Sequence, residues 1–369
     1  MKTALRPTFR LIVLLALLSG ELAAAQPPST DLPDGTAGAA RLTPSARKAV
    51  VVALARRLRS DYVFPDTGNL LADTITAKLA HGGYDKALTA TAMADALTRD
   101  LREIGKDAHL GVRFAPDQTD DKSPDPAQER RVMARMGFGI NAVQRLPGNI
   151  GYLDVRGFGP TPLVAEAYAA AMSLLSGTDA LIVDMRRNGG GEPQSVTELA
   201  SYFFAKDDVR HLNDLFSRTD GRTVEYRTNP DVAVHYAGPV FVLTSRFTFS
   251  GGEEFAYDLQ TQKRATLIGE VTGGGANPGD FVPLPNGFAA FVPTGRAINP
   301  VTKANWEHVG VQPDLVVPAS EGMKIAYTAS LKAVVARADN PRQRETLSAL
   351  IASAEKDEVQ LPTYTPPTR

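Results

Sequence analysis

Residues 238–257 read GPVFVLTSRFTFSGGEEFAY. The apolar run 239–243 has the length and β-branched content of a buried strand, and helical periodicity begins near residue 250 and continues to 262. At the junction stands Ser250-Gly251-Gly252-Glu253. One reading is a capping box, in which Ser250 and Glu253 satisfy each other's orphan amides. The other is a nucleophile. Open α/β sheets bind ligands where strands run out at their carboxyl ends, and bare amides at a helix start favour negative charge. The Gly251 amide, next to Ser250, would then face an oxyanion. The motif by itself leaves both readings open.

The same strand–turn–helix texture recurs outward from this stretch. ALIVDMR (180–186) is a buried strand, NGGGEP (188–193) a tight turn, and 194–205 a helix. Glycine admits positive φ and close backbone approach. Gly189, Gly190 and Gly191 are therefore further oxyanion donors, with Gly190 the foremost candidate; the turn lacks the GK[ST] of a phosphate loop. GYLDVRGF (151–158) and RATLIGEV (264–271) are two more strands, with a helix over 163–176 and a glycine-rich TGGGANPG (272–279). Strands alternating with helices predict a parallel sheet with crossover helices. FVPLPN and FAAFVPTG after residue 280 suggest an added β-layer, 322–355 returns to helix, and PTYTPPTR is a tail.

Upstream, Thr43-Pro44 opens a helix carrying Val50, Leu54, Leu58 and Tyr62, and two further helices carry Leu71, Ile75, Leu79 and Met93, Leu97, Leu101, Ile104. In KDAHLGVRF (106–114) alternation predicts a half-buried strand with His109 on its polar face. The expected organisation is a signal peptide over 1–25, a flexible lead-in over 26–41, a helical domain over 42–115 ending in the His109 strand, a linker over 116–136, an α/β core over 137–336, and a C-terminal helix and tail over 337–369. The first segment pairs Lys2, Arg6 and Arg10 with LIVLLALL and Ala23-Ala24-Ala25, the pattern of an exported protein, periplasmic or secreted. The apolar core is too short for a membrane anchor, so no integral membrane segment is expected after cleavage.

The formal net charge of −1 gives no basis for nucleic acid or an anionic membrane as partner. With no cysteine in the chain, disulfides, thiolate nucleophiles and Cys-ligated metal are excluded. Without HExxH or clustered ligands, no metal is expected; nor is any other cofactor. Oligomeric state is not legible.

Four separated motifs, TSRFTFSGGEEFAYDLQTQKRATLIGEVTGGGANP (244–278), DALIVDMRRNGGG (179–191), WEHVGVQPD (306–314) and DAHLGVRF (107–114), together resemble the tail-specific, or C-terminal processing, serine peptidase family. The resemblance implies a crotonase-like α/β core with a small N-terminal helical domain. It also implies peptide-bond hydrolysis through an acyl-enzyme, with peptide or unfolded protein as substrate. The dyad branch of that family places a lysine 25 residues past its serine, where this chain has Gly275, and carries a PDZ domain, for which the 36 residues between Phe114 and Gly151 leave no room. The chain is more similar to the tricorn protease core and the modules of interphotoreceptor retinoid-binding protein. By that likeness Ser250 is the nucleophile, His109 the base and Glu307 its carboxylate partner, although Ala108 stands where the tricorn core has a linking serine. His308, beside Glu307, is the rival base; His81, His211 and His235 read as incidental. The alternative function is a non-catalytic binding module for apolar ligands on the same fold. Acyl-CoA chemistry is a third, disfavoured by export and by the absence of a basic cluster near the glycine turns.

Overall fold

The computed structural model describes residues 41–116 and 125–367. The expected signal peptide, nearly all of the lead-in and part of the expected linker lie outside the described residues. The helical region forms as the spacing predicts. The Thr43 hydroxyl caps the Ala46 amide and Pro44 occupies the first turn of α1 (Pro44–Asp61), which is followed by α2 (Pro65–Ala80) and α3 (Ala90–Gly105). Val50, Leu54, Leu58, Leu71, Ile75, Met93, Leu97 and Leu101 fill one core.

The predicted strand over 106–114 is shorter in the structure: β1 spans Gly111–Phe114, and His109 lies in the turn before it. The reason is Asp107, whose carboxylate accepts the His109 amide at 2.9 Å and bends the chain away from extended geometry. The expected linker also contains a helix, α4 (Pro126–Arg135). It is capped by Asp125 and buries only Met133, so its amphipathic signal is faint.

The chain continues through β2 (Ile140–Leu146), β3 (Ile150–Val155), α5 (Thr161–Leu175), β4 (Ala180–Asp184), α6 (Pro193–Ser201), β5 (His211–Ser217), β6 (Thr223–Arg227), β7 (Val240–Thr244), α7 (Gly251–Thr261) and β8 (Thr266–Gly269). It ends with β9 (Gly279–Leu284), β10 (Phe288–Pro293), β11 (Gly295–Ile298), β12 (Leu315–Val316), α8 (Ala319–Arg337) and α9 (Pro341–Glu355). The main sheet has six strands in the order β12-β8-β7-β4-β3-β2. All its pairs are parallel except β2 with β3.

Its central strands β3, β4 and β7 are buried at every position, and largely apolar, because both faces are covered. Leu181, Val183, Val240, Val242 and Leu267 face the core that includes α5, α6 and α7, while Ala180, Ile182, Phe241, Leu243 and Ile268 face α8 and α9. The predicted helix over 322–355 is two helices, since Pro341 removes an amide donor and starts a new one.

The strands after 279 do not form a layer of their own. β10 pairs with both β1 and β9 in one three-stranded sheet, and β5 pairs with both β11 and β6 in another. The first of these closes over the helical region, so Leu284, Phe288, Ala290 and Val292 sit in the same core as α1–α3.

Candidate active site

Strands β4 and β7 are neighbours, and their carboxyl ends open into the two glycine-dense turns. The turns are tied together. Ser245 Oγ donates to the Arg186 carbonyl (2.6 Å), Thr248 Oγ1 to the Met185 carbonyl (2.8 Å), and the Phe249 amide to the Asn188 carbonyl (2.9 Å). Arg186, buried, pairs with Asp184 at 2.5 Å and donates to the Ala319 carbonyl at 2.7 Å, which fixes the strand end beneath them.

Ser250 precedes α7 with φ 51° and ψ −121°, a conformation that non-glycine residues rarely adopt. The capping box expected from the sequence is present, with its carboxylate half the stronger. Glu253 Oε2 accepts the Ser250 amide at 2.8 Å, whereas the Ser250 hydroxyl makes no cap hydrogen bond of ordinary geometry. Glu253 does more than cap. It also accepts the Thr272 hydroxyl (2.5 Å) and the amides of Gly274 (2.6 Å) and Gly275 (2.9 Å), which binds the 272–278 loop to the serine turn. Burial pushes its carboxyl up to about 7, and the four donors pull against that rise.

Among the three glycines of the first turn, the amides are not equivalent. Gly190 donates to Asn188 Oδ1 at 2.8 Å and Gly189 to the Arg156 carbonyl at 3.4 Å. The Gly191 amide, like that of Gly251, makes no hydrogen bond among the described residues. The two lie side by side: a Cβ on Gly251 would come 3.1 Å from the Gly191 nitrogen. The free pair is thus Gly191 and Gly251, and the donor role expected of Gly190 is occupied by a side chain four residues downstream of Asp184.

His109 enters from the helical region. The carbonyl of Leu110 accepts from Arg102 Nε at 2.8 Å, and Thr98 exchanges hydrogen bonds with the Val112 backbone, so α3 holds the histidine turn rigidly. The imidazole stacks between Phe249 (ring centroids 4.5 Å apart) and Phe291 (5.5 Å). A Cβ on Gly275 would come 2.7 Å from His109 Cε1, so the ring sits against the backbone where the dyad lysine of the resembling branch would begin. The side chain is 8% exposed, and burial pushes its value down to about 4 although Asp107 pulls it upward. It is therefore neutral at pH 7.

Two carboxylates flank the ring. Asp107 Oδ1 lies 3.7 Å from Nδ1, beyond hydrogen-bond reach, while Asp107 itself accepts from the Tyr62 hydroxyl (3.1 Å), Asn277 Nδ2 (3.0 Å) and the His109 amide. Glu307 Oε2 accepts the Ala276 amide at 2.5 Å. Its Oε1 and the His109 Nδ1 are both buried without a hydrogen-bond partner. Burial, then the charge of Asp107, pushes Glu307 up to about 8. One ligand-type atom from each of Asp107, His109 and Glu307 lies within 4.8 Å of the others. Sequence reasoning missed Asp107; the signal available was its spacing two residues before His109.

The remaining histidines are engaged elsewhere. His308 Nδ1 donates to the Lys106 carbonyl at 2.8 Å with the side chain half exposed, so it braces the histidine turn from outside. His81 and His235 bond backbone carbonyls. His211 pairs with Asp214 at 2.7 Å and begins strand β5. Ser250 and His109 line one cavity of about 190 Å³ together with Gly191 and Gly251, and no hydrogen bond joins the serine to the imidazole.

Residues 149–317 match the profile of peptidase family S41, and residues 42–141 match that of the N-terminal domain of family S41 in eukaryotic interphotoreceptor retinoid-binding protein. The chain is 27% identical over 207 residues to the chloroplastic carboxyl-terminal-processing peptidase 2 of Arabidopsis thaliana, covering 53% of this chain and 39% of that one. It thus spans less than half the length of the first curated relatives it matches. Two solved structures share its fold. A peptidase structure from Parabacteroides merdae has a TM-score of 0.55 at 20% identity, covering 80% of this chain and 98% of that one. The tricorn protease has a TM-score of 0.52 at 13% identity, covering 85% of this chain and 37% of that one. With profiles matched on both the helical region and the sheet region, in the order in which the two meet at Ser250 and His109, the chain belongs to peptidase family S41.

Proposed function

We propose that the chain is a serine peptidase with a crotonase-like core, acting on peptides or unfolded proteins after export. The observation that carries this reading is the shared cavity: a strained serine, a buried neutral imidazole and two unengaged backbone amides meet in one space. Export rests on the sequence of residues 1–25, and among the described residues no helix is long and apolar enough to cross a membrane.

The chemistry follows from the placement. Ser250 Oγ attacks the scissile carbonyl carbon while His109 Nε2 takes the hydroxyl proton. The negative charge gathers on the carbonyl oxygen, where the Gly191 and Gly251 amides receive it; one such donor is worth about 3–4 kcal/mol where measured. The carbon–nitrogen bond then breaks, and the imidazolium returns the proton to the leaving amine. Water, deprotonated by the same imidazole, cleaves the acyl ester and restores Ser250. Asp107, on the Nδ1 side, favours the imidazolium, and Glu307 lies within 4.8 Å of both. Glu307, pushed up to about 8, carries a proton near neutrality, so Asp107 is the nearer source of negative charge.

The test is a fluorophosphonate probe on the full chain. Labelling at Ser250 is expected, with a loss of at least about 100-fold in rate in His109→Ala. Labelling at the parental rate in that variant reassigns the base. Inertness of the folded parent together with retention of an apolar ligand replaces the peptidase reading with a binding module.

A further inference from the structure

The residue after Glu253 has a different fate. Glu254 is 4% exposed and lines the cavity that holds Ser250, yet it accepts a single hydrogen bond, from Asn213 Nδ2 at 3.1 Å. One helical turn further on, Asp258 is fully buried, and its Oδ2 has no partner; neither does Asn213 Oδ1. No lysine or arginine pairs with either acid among the described residues. Burial pushes both carboxyls up, Glu254 to about 7, and the charge of Glu254 adds to the rise of Asp258. A buried acid pair without a counter-cation is an unfavourable arrangement that a cation from outside would relieve.

The walls above it are apolar: Leu215, Pro278, Ala297 and Trp306 line the same cavity. A second groove, sharing Leu215 and Pro278, is lined by Glu192 as its one charged residue. Neither space is lined by lysine or arginine. Glu254 is four positions past Ser250, a rise of about 6 Å along the helix axis, which is close to the reach of a lysine or arginine side chain. An alkyl stem against apolar walls with its charge on a distal carboxylate is the way long cations bury themselves.

We propose that Glu254, backed by Asp258, forms the acidic floor of the pocket for the side chain preceding the scissile bond, and that the preferred substrates carry lysine or arginine there. This rests on the peptidase reading above. Asn213 is a positioning residue that orients the Glu254 carboxylate.

The experiment compares kcat/KM of the full chain for matched peptides with lysine, arginine, norleucine or alanine at that position. Lysine and arginine are expected to exceed norleucine by at least about 100-fold, short of the roughly 10^4-fold or more that a fully buried polar recognition site can reach. Glu254→Gln is expected to reduce that ratio to within about tenfold. Because the variant can fail to fold, a second measurement uses the parent alone. Butylguanidinium is expected to slow fluorophosphonate labelling of Ser250, and pentanol is not. Equal cleavage of norleucine and lysine peptides by a protein that labels at Ser250, or labelling indifferent to butylguanidinium, overturns the pocket assignment and leaves the peptidase reading standing. A folded protein that neither labels nor cleaves any peptide overturns the peptidase reading and this inference with it.

Discussion

The serine turn and the histidine turn are built on opposite plans. Around Ser250, Glu253 gathers four donors, and the neighbouring turn is stitched to it through Ser245, Thr248 and Phe249. Around His109, Nδ1 and the nearby Glu307 Oε1 are both left without a hydrogen-bond partner among the described residues. The backbone of the histidine turn is firmly held, but its functional atoms are not saturated. The contrast fits the proposed mechanism, in which a nucleophile must sit at one place relative to its oxyanion donors and its position is over-determined. A base must change charge during the reaction, so its surroundings keep unspent hydrogen-bonding capacity that can answer the imidazolium when it forms.

The contrast can be broken at its strongest points first. Ser250→Ala is expected to lower kcat/KM by about 10^4-fold or more, and His109→Ala by about 10^2–10^4-fold, both with unchanged far-ultraviolet circular dichroism. A His109 variant as active as the parent would end the comparison.

Next in size is Glu253→Ala. It strands three amides and a hydroxyl in a buried site, at about 1–3 kcal/mol each where no water replaces the carboxylate. A loss of at least about 3 kcal/mol in urea unfolding is expected, with activity lost alongside, because the serine turn and the 272–278 loop separate. A similar truncation at Glu307 removes one bonded amide and should cost much less.

The histidine side is tested by pH. With His109 held down to about 4, the acid limb of kcat/KM is expected near pH 4, not near 6.5. Asp107 pulls the imidazole upward, so Asp107→Asn should move that limb to still lower pH and reduce the plateau by roughly tenfold. Glu307→Gln should resemble the parent below about pH 8, where Glu307 keeps its proton, and diverge above it. A limb that stays in place in Asp107→Asn would show that this carboxylate does not act on the ring.

The smallest effect concerns the strained backbone at Ser250. Ser250→Gly is expected to abolish hydrolysis yet stabilise the fold by about 1 kcal/mol, a rise in melting temperature of about 1–2 °C for a chain of this size. No gain would mean that the turn is not strained.

The parallel strands and their glycine turns were legible because their signal is local: buried on both faces, β4 and β7 read as unbroken apolar runs. Strand β6 was not, since four of its five residues are exposed and nothing in its pattern marks a core face. Helix α4 hid in a charged, proline-rich segment because only Met133 is buried. At the site, Ser250, His109 and Glu307 could be picked out as residues, but their partners could not. Asp107 takes its meaning from Asn277, 170 positions away, and from Tyr62. Which of three consecutive glycines keeps a free amide depends on where the Asn188 side chain turns. Such choices are made by tertiary contact and leave no periodicity to read.

Strand β1 pairs along its length with β10, from Gly111 opposite Phe291 to Phe114 opposite Phe288, and β9–β10 complete the core of the helices that carry the histidine. The two halves are therefore not bodies that dock and part; each is unfinished without the other. A peptide comprising the helical region alone would lack much of its own interior, and the sheet region alone would present a bare apolar face. On the proposed mechanism, base and nucleophile are therefore carried on regions that share one core. On that reading, control falls on who reaches the cleft more naturally than on when the cleft is assembled.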